Sequence, residues 1–131
     1  NICVGVTMSI KFTVVKTGDV TILNAKGSIT LGERSTALRN IIREQLKGEA
    51  KKIVLNLEEV LYIDGSSIGE LASSRNKALR MDGEIKLAAP NKKVIDLLTI
   101  TKNNVLFDIH TDVDAAIRCF GGEHIGCGQQ S

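Results

Sequence analysis

The chain has 131 residues, enough for one domain with a single substantial core and without need of a second. Its 17 basic and 15 acidic residues leave a net charge of only +2, so the total carries no strong pull toward nucleic acid or an anionic membrane. Aromatic residues are confined to Phe12, Tyr62, Phe107 and Phe120, which leaves no row of stacking platforms for single-stranded nucleic acid, and no run of about 18 apolar residues is present to span a membrane.

The opening residues Asn1 to Thr7 are apolar, lack a basic leader and are too short for a secretory signal. Either Met8 is the start, which makes the residues before it an extension, or residues 1–9 lead into the first strand. Ile10 to Val15 and Val20 to Ala25 are β-prone runs separated by Lys16-Thr17-Gly18-Asp19, which predicts an antiparallel hairpin with a glycine-containing turn. Beyond Gly27 to Gly32, the residues Leu38, Ile41, Ile42 and Leu46 mark an amphipathic helix that ends at Gly48.

From there strand and helix alternate. Ile53 to Leu57 is an apolar run suited to a buried parallel strand. The next helix is expected from about Ser67 to Met81, with Ile68, Leu71, Ala72 and Leu79 on its apolar face and Asp82-Gly83 closing it. A strand over Glu84 to Ala88, a helix over Asn91 to Leu98 with Asn91 as N-cap, a strand over Val105 to Ile109 and a helix over Thr111 to Phe120, capped by Thr111 or Asp112, follow. The order β-β-α-β-α-β-α-β-α describes an α/β domain with a mixed sheet, an antiparallel opening hairpin and then parallel strands with crossover helices. Its expected limits are residues 10–120, with 121–131, which hold four glycines, as a flexible tail.

The residues do not assemble an enzyme. His110, read as a surface or strand-end residue, and His124 belong to no metal-binding spacing, and Gly18, Gly27 and Gly32 form no phosphate-binding loop. Ser66 and Ser67 lack a nucleophile-elbow pattern around them. Cys3, Cys119 and Cys127 are odd in number and without metal-ligand spacing, which fits a reducing cytoplasmic setting; Cys119 is most simply a helix residue near the core. No catalytic residue, metal or cofactor is therefore expected.

The segment that stands out is Tyr62-Ile63-Asp64-Gly65-Ser66-Ser67-Ile68-Gly69-Glu70, a polar turn between an apolar strand and a helix. A serine there lies near a helix N-terminus, where the dipole and unpaired N–H groups favour added negative charge. Asp64 is most simply a capping residue. Ser67-Ile68-Gly69-Glu70 matches the Ser-x-x-Glu capping box, which would occupy the Ser67 hydroxyl and leave Ser66 freer to meet a kinase.

With Gly27 to Gly32, Ile53 to Leu57, Tyr62 to Gly69, Gly83 to Leu87, and Val94 to Leu98 before Phe107, the chain resembles the bacterial STAS-domain anti-sigma factor antagonists over about Ile10 to Phe120. The turn of that family reads Asp-Ser-Ser/Thr-Gly-Ile/Leu-Gly, with the phosphorylated serine directly after the aspartate. Here Asp64 matches, Gly65 stands at the acceptor position, Ser66 matches the second hydroxyl residue, Ser67 replaces the glycine, and Ile68 and Gly69 match again. Either the acceptor has moved to Ser66 or Ser67, or the switch is lost and the protein stays in its unphosphorylated-like state, or the site has been altered.

The resemblance implies a cytoplasmic protein-protein interaction module that is not itself an enzyme. It would bind, through Asp64, Gly65, Ser66, Ser67, Ile68 and Gly69, an anti-sigma factor with a histidine-kinase-like ATPase fold, and so release a sigma factor. Serine phosphorylation near the start of the second helix would switch it, and a serine phosphatase would reset it. The alternative is a standalone STAS docking subunit of a membrane transporter or signalling complex. Self-association as a homodimer, through an exposed edge or apolar patch, stays open.

Overall fold

The computed structural model describes residues 2–4, 10–29, 33–48, 51–102 and 107–120. Its strands are β1 (Ile2–Val4), β2 (Ile10–Thr17), β3 (Val20–Ile29), β4 (Lys52–Ile63), β5 (Glu84–Ala88) and β6 (Asp108–His110), and its helices are α1 (Glu33–Lys47), α2 (Gly65–Arg80), α3 (Lys92–Ile100) and α4 (Val113–Phe120). The strands form one sheet in the order β1-β2-β3-β4-β5-β6. β1, β2 and β3 pair antiparallel, and β3 to β6 pair parallel. The expected order is thus present, with β1 added at the edge: Ile2, Cys3 and Val4 pair with Val14, Thr13 and Phe12.

Alternation along the strands divides the apolar residues between two faces. Leu23, Ala25, Ile53, Leu55, Ile85, Leu87 and Ile109 join the larger core, covered by Leu38, Ile42 and Leu46 of α1, Ile68, Leu71 and Ala78 of α2, and Val94 and Leu98 of α3. Right-handed crossovers between successive parallel strands put these three helices on one side. Val20, Ile22, Val54 and Ala88 turn the other way and are closed over by Ala116, with Val113, Ile117 and Phe120 beside it. α4 alone among the described helices supplies that second layer.

Several boundaries differ from the sequence expectation. β4 does not stop at Leu57 but continues through Ile63, so Tyr62 and Ile63 belong to the strand and not to the turn. Its far half is irregular. Asn24 pairs with Asn56, Lys26 with Glu59, Gly27 with Val60 and Ser28 with Tyr62, so β4 carries extra residues at two points, an arrangement uncommon between parallel strands. Gly27 adopts φ 116°, which a residue with a Cβ rarely takes. The Asn56 side chain supports the first irregularity: its Nδ2 donates to Asn24 Oδ1 at 2.8 Å, and its Oδ1 accepts the Glu58 N–H at 3.1 Å.

α2 begins at Gly65, two residues before the expected Ser67. On its buried face Ala78 takes the place expected for Leu79, which is 46% exposed. At the helix end the Gly83 N–H donates to Ala78 O at 2.7 Å, while Asp82 takes the left-handed conformation at φ 61°. Asn91 caps α3, its side chain accepting the Val94 N–H at 2.9 Å, and Asp112 caps α4, accepting the Ala115 N–H at 2.8 Å. β6 covers Asp108–His110; the first two residues of the strand expected from Val105 to Ile109 fall in 103–106, outside the described residues. His110 ends that strand but is buried, not on the surface. The 121–131 segment, expected as a flexible tail, also lies outside the described residues, as do His124 and Cys127.

Candidate functional site

The sheet delivers the polar turn to a fixed place. Ile63, the last residue of β4, is buried, and the next N–H, from Asp64, donates to Ile29 O at 3.1 Å, tying the turn to the end of β3. Asp64 is extended (φ −97°, ψ 171°); its Oδ1 accepts the Ser67 N–H at 2.8 Å and its carbonyl accepts the Ile68 N–H at 3.0 Å. This is N-cap geometry. The capping residue is therefore Asp64, and the Ser67–Glu70 capping box does not form. Ser67 lies inside the first turn, fully buried, with its Oγ lacking a hydrogen-bond partner, and Glu70 lies instead 3.7 Å from Arg39.

Burial then sorts the six residues expected to bind a partner. Ser67 and Ile68 face the core at 0% and 1% exposure, because Ile68, Leu71 and Ala78 form the buried stripe of α2. These two are corrected from surface to core. Gly65, Ser66 and Gly69 are exposed, with Asp64 half-buried between strand and helix. A Cβ built on Gly65 or Gly69 meets nothing within 4 Å, so neither glycine is required by crowding. Ser66 is the accessible hydroxyl of the turn. No acidic residue occupies the first turn of α2, and Lys77 and Arg80 lie in its last turn, which complements the helix dipole at that end.

Sequence reasoning missed the apolar neighbours of this turn. The irregular part of β4 turns Leu61 and Tyr62 outward, leaving them 69% and 48% exposed, while Val60 and Ile63 stay in the core. Asn91 Nδ2 donates to Val60 O at 2.8 Å, holding this segment against the start of α3. The adjacent Glu58-Glu59 pair was the available signal, since two successive charges do not suit a strand whose core face alternates.

A profile of the STAS domain matches residues 11–116. This chain belongs to the STAS family. An anti-sigma factor antagonist from Mycobacterium paratuberculosis shares the fold with a TM-score of 0.77 at 19% identity, covering 85% of this chain and 93% of that one. A putative anti-sigma factor antagonist from Thermotoga maritima gives 0.76 at 24% identity, covering 82% and 92%. The Bacillus cell-fate determinant SpoIIAA in its phosphorylated form gives 0.63 at 16% identity, covering 82% and 97%. No curated protein matches the chain.

In this STAS domain a second polar cluster lies on the α4 side of the sheet. Lys86, 3% exposed, donates to Asp108 at 2.6 Å and Glu84 at 3.0 Å, and its ammonium sits 4.8 Å from the Phe120 ring centroid. Burial works against the ammonium, but hydrogen bonds to the two carboxylates prevail and raise its pKa. Burial likewise opposes ionisation of Asp108, yet Lys86 outweighs it and holds the carboxyl below its ordinary value. His110 is pushed down, first by burial and then by Lys86. The cluster reads as a buried lysine beneath α4 held by two carboxylates that remain partly open to solvent. Among the described residues no group of three His, Cys, Asp or Glu side chains is placed to hold a metal ion, and no helix is long and apolar enough to cross a membrane.

Proposed function

We propose that this STAS domain is an anti-sigma factor antagonist whose Ser66 is the phosphoacceptor. The observation that carries the reading is the sorting of hydroxyls at the α2 N-terminus: Ser66 is exposed, Ser67 is fully buried, and Gly65 offers none. The domain over residues 10–120 binds a kinase-like anti-sigma ATPase in the cytoplasm, frees a sigma factor, and is reset by a serine phosphatase. Leu61 and Tyr62 provide the apolar anchor, since exposed aromatic and aliphatic side chains beside a polar rim are where binding energy concentrates. Gly65, Ser66 and Gly69 provide the switch.

Phosphorylation acts by charge. A phosphate on Ser66 adds about 1.5 to 2 negative charges at pH 7. The helix dipole tolerates that charge, whereas the Asp64 carboxylate opposes it, so the same turn carries a single capping carboxylate in one state and a concentrated negative charge in the other.

Intact mass after incubation with ATP and a candidate anti-sigma factor kinase from the same cells tests the reading. One phosphate gained by the native chain and lost in Ser66→Ala is the expected result. Loss only in Ser67→Ala would overturn the assignment of the acceptor, and would require the first turn of α2 to open. A stable complex without phosphate would make Gly65 the mark of a constitutive antagonist. Neither complex nor phosphate would leave a docking subunit of a transporter or signalling assembly.

A further inference from the structure

We propose that the groove between α1 and α2 is a binding site for a phosphoryl dianion. It is a cavity of about 70 Å³ lined by Arg39 and Arg43 of α1 and by Ser73, Ser74, Lys77 and Arg80 of α2. Spacings of four residues on α1, and of four and three on α2, align each set along one helix face. Four cations thus converge on a pocket the size of one small oxyanion, in a chain whose total charge is only +2. Among the described residues, the carboxylate paired with this set is Glu70, at 3.7 Å from Arg39. That distance is long against the roughly 2.7 to 2.9 Å of a charge-assisted hydrogen bond, so Arg39 can be drawn away from it.

Two polar atoms independently point to a missing acceptor. Ser74 is 4% exposed and its Oγ has no hydrogen-bond partner; the Arg39 Nε is buried and also unpartnered. Buried donors are ordinarily satisfied, and a hydroxyl and a guanidinium N–H left open in a cationic groove are satisfied together by an oxyanion. A tetrahedral dianion uses this donor set more fully than a carboxylate does, because it offers more acceptor oxygens and twice the charge. The source is either free phosphate or the phosphate of a nucleotide. The site stands apart from Ser66 and does not depend on its modification.

The test is a ¹H–¹⁵N titration of the full chain with inorganic phosphate and, separately, adenosine monophosphate at low ionic strength. Saturable shifts confined to the amides around residues 39–43 and 73–80 are expected, weakened about tenfold or more in Arg43→Gln/Lys77→Gln. Tighter binding of adenosine monophosphate would identify a nucleotide as the source, and equal or tighter binding of inorganic phosphate a free anion; both support the site. Ser74→Ala separates ligation from packing. It should weaken the titration while leaving the melting temperature unchanged or higher, because it removes a hydroxyl without a partner. Absence of saturable shifts, shifts indifferent to the double variant, or an unaltered titration in Ser74→Ala would overturn the proposal.

Discussion

Removing the Asp64 carboxylate takes the 2.8 Å acceptor from the Ser67 N–H, so Asp64→Ala is expected to cost about 1 kcal/mol, read from the urea midpoint. Ser67→Ala should behave oppositely. Its Oγ is buried without a partner, so the variant is expected to match the native chain or exceed it by up to about 1 kcal/mol. A capping box would have required a loss, and this is where the sequence misleads: Ser67 and Glu70 have the right spacing, but Asp64 three residues earlier competes for the same N–H and wins. Titration gives a second test. Because the folded pKa of His110 is depressed, its contribution is full above about pH 6.5 and is lost as pH falls through the lower folded value. Asp108 has the same sign, full above pH 3.8 and lost below it, whereas the raised Lys86 contributes fully below pH 10.5 and loses that only as pH rises through its folded value. Stability should therefore fall as the pH is lowered below about 6.5, and His110→Gln should flatten that fall.

Helix α2 ends on a tighter constraint than it begins. A Cβ at Gly83 would lie 3.1 Å from Lys51 O and 3.3 Å from Ala78 O, both backbone atoms, so Gly83→Ala is expected to destabilise by about 1 to 3 kcal/mol in chemical denaturation. Gly65→Ser meets open space and should fold with native stability while adding an exposed hydroxyl beside Ser66. The elements that were legible in the sequence are those with uninterrupted periodicity and a chemical stop. In α1, Leu38, Ile41, Ile42 and Leu46 all prove buried, and Asn91 caps α3 as its position suggests. β4 was not legible beyond Leu57, because its irregular pairing with β3 breaks the alternation that identifies a strand, and no local residue pattern announces a tertiary register shift. The turn itself was visible, with Ser66 as the freer serine, but through a capping box that does not form; what separates the two is the burial of Ser67 inside a helix that starts at Gly65.

The whole molecule is asymmetric about its sheet, with three helices over the larger core and α4 over the smaller. Leu55→Ala, deep in the larger core at 0% exposure, should cost about 2 to 5 kcal/mol, whereas Ala116→Asp, by wedging a charge against Val54 and Ala88, should expose the second face and be read as dye binding before global unfolding. The overall architecture was foreseeable because an apolar strand followed by a capped helix recurs from β4 onward, and parallel neighbours with right-handed crossovers leave few other arrangements. The sheet order carries a further consequence, for how this chain comes into being. Every described strand lies beside its predecessor in sequence, so none has to be threaded between two already paired strands. Assembly can advance in one direction as the polypeptide leaves the ribosome, each new segment finding a ready template. By that sequence of events the α2 turn takes shape before β5 and β6 exist to be joined, and α4, synthesised after every strand it rests on, arrives as the closing piece.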